Sequence, residues 1–183
     1  MKTQYYTAST LDGFIATEDH SLEWLFPLGD IAETGYADFF AEVGALAMGS
    51  STFQWMMDHH LRPGSPDEQP WPYEKPVWLF SSRHLELPPG ADIRLVRGDV
   101  RPVHAEMAEA AAGQNLWVVG GGDLAGQFYD AGLLDELIIQ VGSTTLGKGM
   151  PLFPRITPPG RLKLVSATQM GPGFAELRYS VEY

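Results

Sequence analysis

Apolar positions along this chain fall into short runs separated by glycines, prolines and polar clusters, and the spacing within each run predicts an element. Thr3 to Ser9 reads as a strand, and Asp12-Gly13 is a turn signal behind it. Glu18 to Gly35 holds no sustained period and carries Pro27, Gly29 and Gly35, which predicts a loop. Phe39, Phe40 and Val43 share a helical face over Tyr36 to Val43, and Ala45 to Met48 is a short buried strand that stops at Gly49. Ser50 or Ser51 is placed to cap a helix reaching about His60, while five prolines between Arg62 and Pro76 demand surface loop.

In the second half, Val77 to Phe80 and Ile93 to Val96 read as strands. Pro102 suits the first position of a helix whose stripe is Val103, Met107, Ala110 and Ala111, closed by Gly113. Leu116 to Val119 is a strand that breaks at Gly120-Gly121-Gly122. A short helix with Leu124, Phe128 and Ala131 follows, then a buried strand from Leu137 to Val141. At the end, Ala175, Leu177, Tyr179, Val181 and Tyr183 alternate with Glu176, Arg178, Ser180 and Glu182. That pattern predicts a strand half-exposed through its polar positions, hairpin-paired with Leu162, Leu164 and Val165 across Gly171-Pro172-Gly173. Strands alternating with helices before a terminal hairpin imply an α/β fold, a mostly parallel sheet with a C-terminal antiparallel hairpin. No repeat or long linker interrupts it, so one domain over 1–183 is expected.

Composition narrows the class. With 44% hydrophobic residues the chain has enough apolar content for a core, yet no run approaches the roughly 18 to 20 residues of a membrane span. No apolar leader is evident at the start and there is no cysteine, so thiolate metal sites and disulfides are excluded and a cytoplasmic enzyme is expected. The net charge is -11, and residues 1 to 60 hold Lys2 alone against nine acids. Duplex nucleic acid needs a concentrated basic surface and is not expected as a partner, and phosphate-bearing ligands should meet the later part of the chain.

Three strand ends carry candidate chemistry. Gly120-Gly121-Gly122 before a helix lets the backbone approach a pyrophosphate, with free amides and the helix dipole facing it. A tight turn accounts for the same glycines at an entropic cost that a turn does not require. Gly120 to Ala125 also spells G-x-G-x-x-A, but a Rossmann fingerprint belongs to the first strand-helix unit, not two thirds along the chain. Gly49-Ser50-Ser51-Thr52 offers amides and hydroxyls to a second phosphate, or simply an N-cap. Ser81-Ser82-Arg83 offers two hydroxyls and a guanidinium suited to a phosphomonoester. In open α/β sheets ligands collect outside the carboxyl ends of strands, so three such ends point to one site. Asp58-His59-His60 has no second ligand pair at sensible spacing, and no metal is expected.

The order of these pieces resembles the dihydrofolate-reductase-like superfamily, in the bacterial branch akin to the reductase domain of riboflavin biosynthesis. The resemblance rests on Asp12-Gly13-Phe14-Ile15-Ala16, Met48-Gly49-x-x-Thr52-Phe53, Ser81-Ser82, Val119-Gly120-Gly121-Gly122-x-Leu124-x-x-Gln127-Phe128 and Leu134-Asp135-Glu136-Leu137. It continues through Leu146-Gly147-Lys148-Gly149-x-Pro151-Leu152-Phe153. It implies a three-layer sandwich and a nicotinamide cofactor, NADPH or NADH, reducing a small pterin- or aminopyrimidine-like heterocycle, in a protein that commonly pairs as a homodimer. Ile15 and Ala16 would flank the nicotinamide, and Gly49, Ser50, Ser51 and Thr52 would hold a phosphate. Ser81, Ser82 and Arg83 would take the adenosine end, and Gly120, Gly121, Gly122, Asp123, Leu124 and Gln127 the pyrophosphate. Relatives often carry a base where this chain has Ser50 or Asp123, which leaves Arg83 as the expected reader of a 2′-phosphate. For the catalytic acid the stretch before the second strand offers Glu33, Asp38 and Glu42. Asp38, followed by Phe39 and Phe40, is the candidate, and a solvated helix face is the plainer account of it. A dinucleotide-binding module without turnover, or an ordinary interaction domain, are the rival functions.

Overall fold

The computed structural model describes residues 1–30 and 34–183. Its strands are β1 (Thr3–Thr10), β2 (Phe14–Ala16), β3 (Val43–Gly49), β4 (Val77–Phe80), β5 (Ile93–Val96), β6 (Asn115–Gly120), β7 (Glu136–Gly142), β8 (Met150–Pro151), β9 (Leu162–Met170) and β10 (Phe174–Val181). Eight of them form one sheet in the order β5-β4-β3-β6-β1-β7-β10-β9, and β2 pairs with β8 apart from it. Pairings from β5 through β7 are parallel, whereas β7 with β10 and β10 with β9 are antiparallel.

Helices cover both faces, so β3, β4 and β6 are apolar at nearly every position instead of alternating. Tyr5, Ala45, Ala47, Trp78, Leu116 and Val118 face α3 (Val100–Ala110) and α4 (Gly122–Asp130), which contribute Val103, Met107, Leu124 and Phe128. Tyr6, Leu46, Met48, Leu79, Trp117 and Ile138 face the other way, toward Phe39 of α1 (Tyr36–Ala41) and Phe53 of α2 (Ser50–Trp55). The result is the expected dihydrofolate-reductase-like three-layer α/β sandwich. Among the described residues, no helix is long and apolar enough to cross a membrane.

Several elements differ from expectation for identifiable reasons. Helix α1 stops at Ala41, because Val43 is drawn into β3 and pairs with Asn115. Neither Ser50 nor Ser51 caps α2: Gly49 holds the N-cap position without a side-chain bond, and after Trp55 the helix widens to a π turn over Met56–Leu61. Helix α3 begins ahead of Pro102, since the Asp99 carboxylate caps it by accepting from the Arg101 amide at 2.9 Å. That shift makes Val100, Val103, Met107 and Ala111 the buried stripe and leaves Ala110 exposed. The alternation in β10 is inverted at its start: Ala175 is exposed, whereas Glu176 is 2% exposed.

Candidate functional site

Parallel strands that share a direction bring their carboxyl ends to one edge of the sheet, and here those ends open into a cleft of about 1430 Å³. Two ends touch at its floor. A Cβ added to Gly49 would lie 3.2 Å from the Gly120 carbonyl oxygen, and one added to Gly120, at φ +148°, 3.4 Å from Thr52 Oγ1. At Gly122 it would meet the Leu152 carbonyl oxygen at 2.3 Å, so this glycine lets α4 pack directly on the backbone of residues 151–152. Gly121 is different. Its nearest neighbour would be Ile15 Cδ1 at 3.7 Å, and it caps α4 with no side chain over the first-turn amides.

Ile15, Ala16, Gly49, Ser50, Ser51, Thr52, Gly120, Gly121, Gly122, Asp123, Leu124 and Gln127 all line this cleft. Asp123 sits at the opening of α4, where a phosphate would meet its charge. Its carboxylate accepts from Gln127 Nε2 at 2.9 Å and pairs with Arg155 at 3.0 Å, and these contacts hold it below the ordinary aspartate range. Arg155 also grips Asp130 at 2.7 Å, so it binds both ends of α4.

A recess of about 220 Å³ adjoins the cleft through Ser50, Phe80 and Gln127, and Ser81, Ser82, Arg97 and Gly98 complete it. Arg83, the expected phosphate reader, lines neither cavity. Ser81 Oγ donates to its carbonyl oxygen and accepts from its amide, and its side chain is exposed. Arg97 takes that place because β5 lies outside β4 and its end comes alongside Ser82. An arginine just past a strand end was a visible signal, but only the strand order brings it to the serines.

The loop carrying Ile15 and Ala16 is fastened at its base. Asp12 accepts from Thr10 Oγ1 at 2.6 Å and from the amides of Leu146 and Gly147 at 3.2 and 2.7 Å, so it does more than form a turn. The Thr10 hydroxyl, then the two amides, hold its pKa below the usual value.

At the inner end, Tyr36, Phe40, Tyr73 and Trp117 line the cleft with ring centroids 5.7 to 6.0 Å apart. Burial raises the phenol pKa of Tyr36 and Tyr73 and pushes Tyr6 up to about 12. Gln140 is the polar residue on the floor, its Nε2 donating to Tyr6 Oη at 2.5 Å and to buried Glu176 at 3.4 Å. Sequence reasoning missed both. Gln140 was legible as the polar break in an apolar strand, whereas Glu176 was disguised by its place in an alternating one. The expected acid is elsewhere: Asp38 is exposed on α1 and does not line the cleft. Glu42 is exposed at the end of α1, and Glu33 lies outside the described residues.

Comparison with known proteins agrees with this fold. The family model described as the RibD C-terminal domain matches residues 2–175. YwjB of Bacillus subtilis (strain 168), itself uncharacterized, is 30% identical over 170 residues, covering 93% of this chain and 92% of its own. The crystal structure of a putative riboflavin biosynthesis protein from Shewanella sp. PV-4 matches with TM-score 0.82 at 25% identity, over 100% of both chains. Dihydrofolate reductase from Enterococcus faecalis, solved with NADP(H), matches with TM-score 0.64 at 16% identity over 100% of this chain and 97% of its own, a likeness of fold.

Proposed function

The chain belongs to the RibD C-terminal domain family, and from that premise we propose that it is an NAD(P)H-dependent reductase acting on a small planar heterocycle in the cytoplasm as a homodimer. The observation that carries this reading is the bare backbone of Gly120 and Gly121 on the cleft floor, touching the end of β3 and opening α4. A Cβ at Gly121 would meet Ile15 Cδ1 at an ordinary 3.7 Å on the cleft lining, so the space beside it fits a pyrophosphate, with the uncapped amides of α4 to receive it. Ile15 and Ala16 would flank the nicotinamide, Gly49 to Thr52 and Gln127 would hold phosphates, and Ser81, Ser82 and Arg97 would take the adenosine end.

When bound, such a cofactor supplies hydride; the chain's own share is orientation and exclusion of water. Asp123 sits beside the pyrophosphate space, and Arg155 offsets its charge. The phenols of Tyr6, Tyr36 and Tyr73, raised by burial, stay protonated at neutral pH and hold the ring without ionising. His20, from the loop that follows Ala16, and His60 both line the cleft, and they are the chain's alternatives to water as a proton source. In support of the homodimer, β9 is an outer strand of the sheet with Leu164 and Val165 exposed.

One observation favours a binding module without turnover: Asp38 stands outside the cleft. Tryptophan fluorescence titrated with NADPH and NADH, followed by cofactor consumption over pterins, aminopyrimidines and quinones, separates the readings. Binding with turnover of a ring supports the reductase; saturable binding with no turnover on any ring supports the module. No quenching by either cofactor overturns both.

A further inference from the structure

Apart from the imidazoles of His20 and His60, no basic side chain lines the cleft among the described residues. Among the described residues lining the cleft there is neither lysine nor arginine, and the three residues outside the description are not basic. The cations nearby are already engaged. Lys75 donates to the Phe40 and Val43 carbonyls and lies 4.6 Å above the Phe40 ring. Arg178 pairs with the buried Glu176 carboxylate at 2.7 Å. Acids crowd the same stretch of chain, with Asp30 on the cleft wall. An anionic group brought here would lose hydration without gaining a counter-charge, a loss far larger in a partly buried site than in water.

Gln140 gives the inner end a polar preference. The Glu176 carboxylate, paired with Arg178 at 2.7 Å, stands as an acceptor and so fixes the amide with Nε2 toward it, and Tyr6 Oη receives the second Nε2 hydrogen. The carbonyl Oε1 accepts no hydrogen bond from a described residue and remains for a donor on a ligand. The Tyr6 ring to which the amide is hydrogen-bonded lies 6.1 Å from Tyr36 and 6.4 Å from Trp117, which line the cleft together with Phe40 and Tyr73 and give it flat apolar walls.

We propose that the substrate is a planar ring that presents an N–H to Gln140 and bears no phosphate, with Glu176 acting through Gln140 as a positioning residue. The cleft thus sorts its ligands by charge, phosphates at the α4 and Arg97 end and an uncharged ring at the aromatic end. This rests on the reductase reading for the occupant of the other end.

The test compares 7,8-dihydroneopterin with its 3′-triphosphate, the same ring with and without phosphate, by tryptophan fluorescence in protein saturated with NADPH. The unphosphorylated ring should bind at least tenfold more tightly, and Gln140→Leu should remove that binding while NADPH affinity stays unchanged. Glu176→Gln should weaken ring binding at every pH, because a second amide no longer fixes the flip of Gln140. Equal or tighter binding of the triphosphate, failure of both rings to bind, or ring binding unaffected by Gln140→Leu overturns the proposal. The NADPH titration is a separate measurement, so a chain that binds the ring but no cofactor refutes the reductase reading and not this one.

Discussion

Two adjacent glycines separate ligand binding from folding. A Cβ at Gly121 would meet Ile15 Cδ1 at an ordinary 3.7 Å, so Gly121→Val should leave a folded protein, with an unchanged melting temperature within a few degrees, that no longer quenches on NADPH addition. Gly122 has a carbonyl oxygen 2.3 Å from any Cβ, and Gly122→Val should cost about 1 to 3 kcal/mol in urea unfolding, as overpacking does. A variant of Gly121 that binds normally would move the pyrophosphate elsewhere. Arginines 83 and 97 make a second residue-scale contrast. A charge-assisted bond to phosphate is worth about 1.5 to 3 kcal/mol, so Arg97→Ala should weaken NADPH by about ten- to a hundredfold with little change for NADH. Arg83→Ala should leave both affinities near wild type, and equal losses for both cofactors in Arg97→Ala would assign the 2′-phosphate to another group.

Among elements, one carboxylate reinforces the short pair of β2 with β8, because Asp12 ties the turn before β2 to the amides of Leu146 and Gly147 before β8. Its pKa is depressed in the folded chain, so the proton binds more readily to the unfolded or unclamped state. The clamp is therefore fully formed above the ordinary aspartate pKa and is lost as pH falls through the depressed folded value. Hydrogen exchange at Leu146 and Gly147 should accelerate, after correction for intrinsic rates, in Asp12→Ala at neutral pH and in the wild type only at strongly acid pH. Unchanged protection in the variant would show that the loop is held without Asp12. The same carboxylate read as a bare turn former in the sequence, since its partners are 134 and 135 residues away. Helix boundaries shifted for a similar reason: α3 starts at an Asp99 cap instead of at Pro102, a local signal of equal strength, and packing of Val100 into the core selects between them.

On the scale of the whole molecule, β9 presents an unpaired edge on which Leu164 and Val165 are exposed beside a single charge, Lys163, a template for the strand of a second copy. Sedimentation at micromolar concentration should give about twice 20.1 kDa, and Leu164→Glu with Val165→Lys should return a species of 20.1 kDa. A wild-type monomer would refute the pairing. The sheet and its layers were legible along the chain because burial on both faces writes itself as unbroken apolar runs, such as those of β3 and β6, punctuated by glycine and serine at their carboxyl ends. The glycine turn was legible too, since three successive glycines are costly unless backbone must approach something closely. Arg97 beside Ser82, Arg155 against Asp123, and Glu176 behind Gln140 join residues far apart in sequence. Strand order and pairing register bring those charges together across the sheet, and charge pairing leaves no periodic trace along a chain. The sequence by itself therefore determined the layers and the glycine turn, whereas which charges flank the cleft, and that no lysine or arginine lines it among the described residues, was decided only by the tertiary structure.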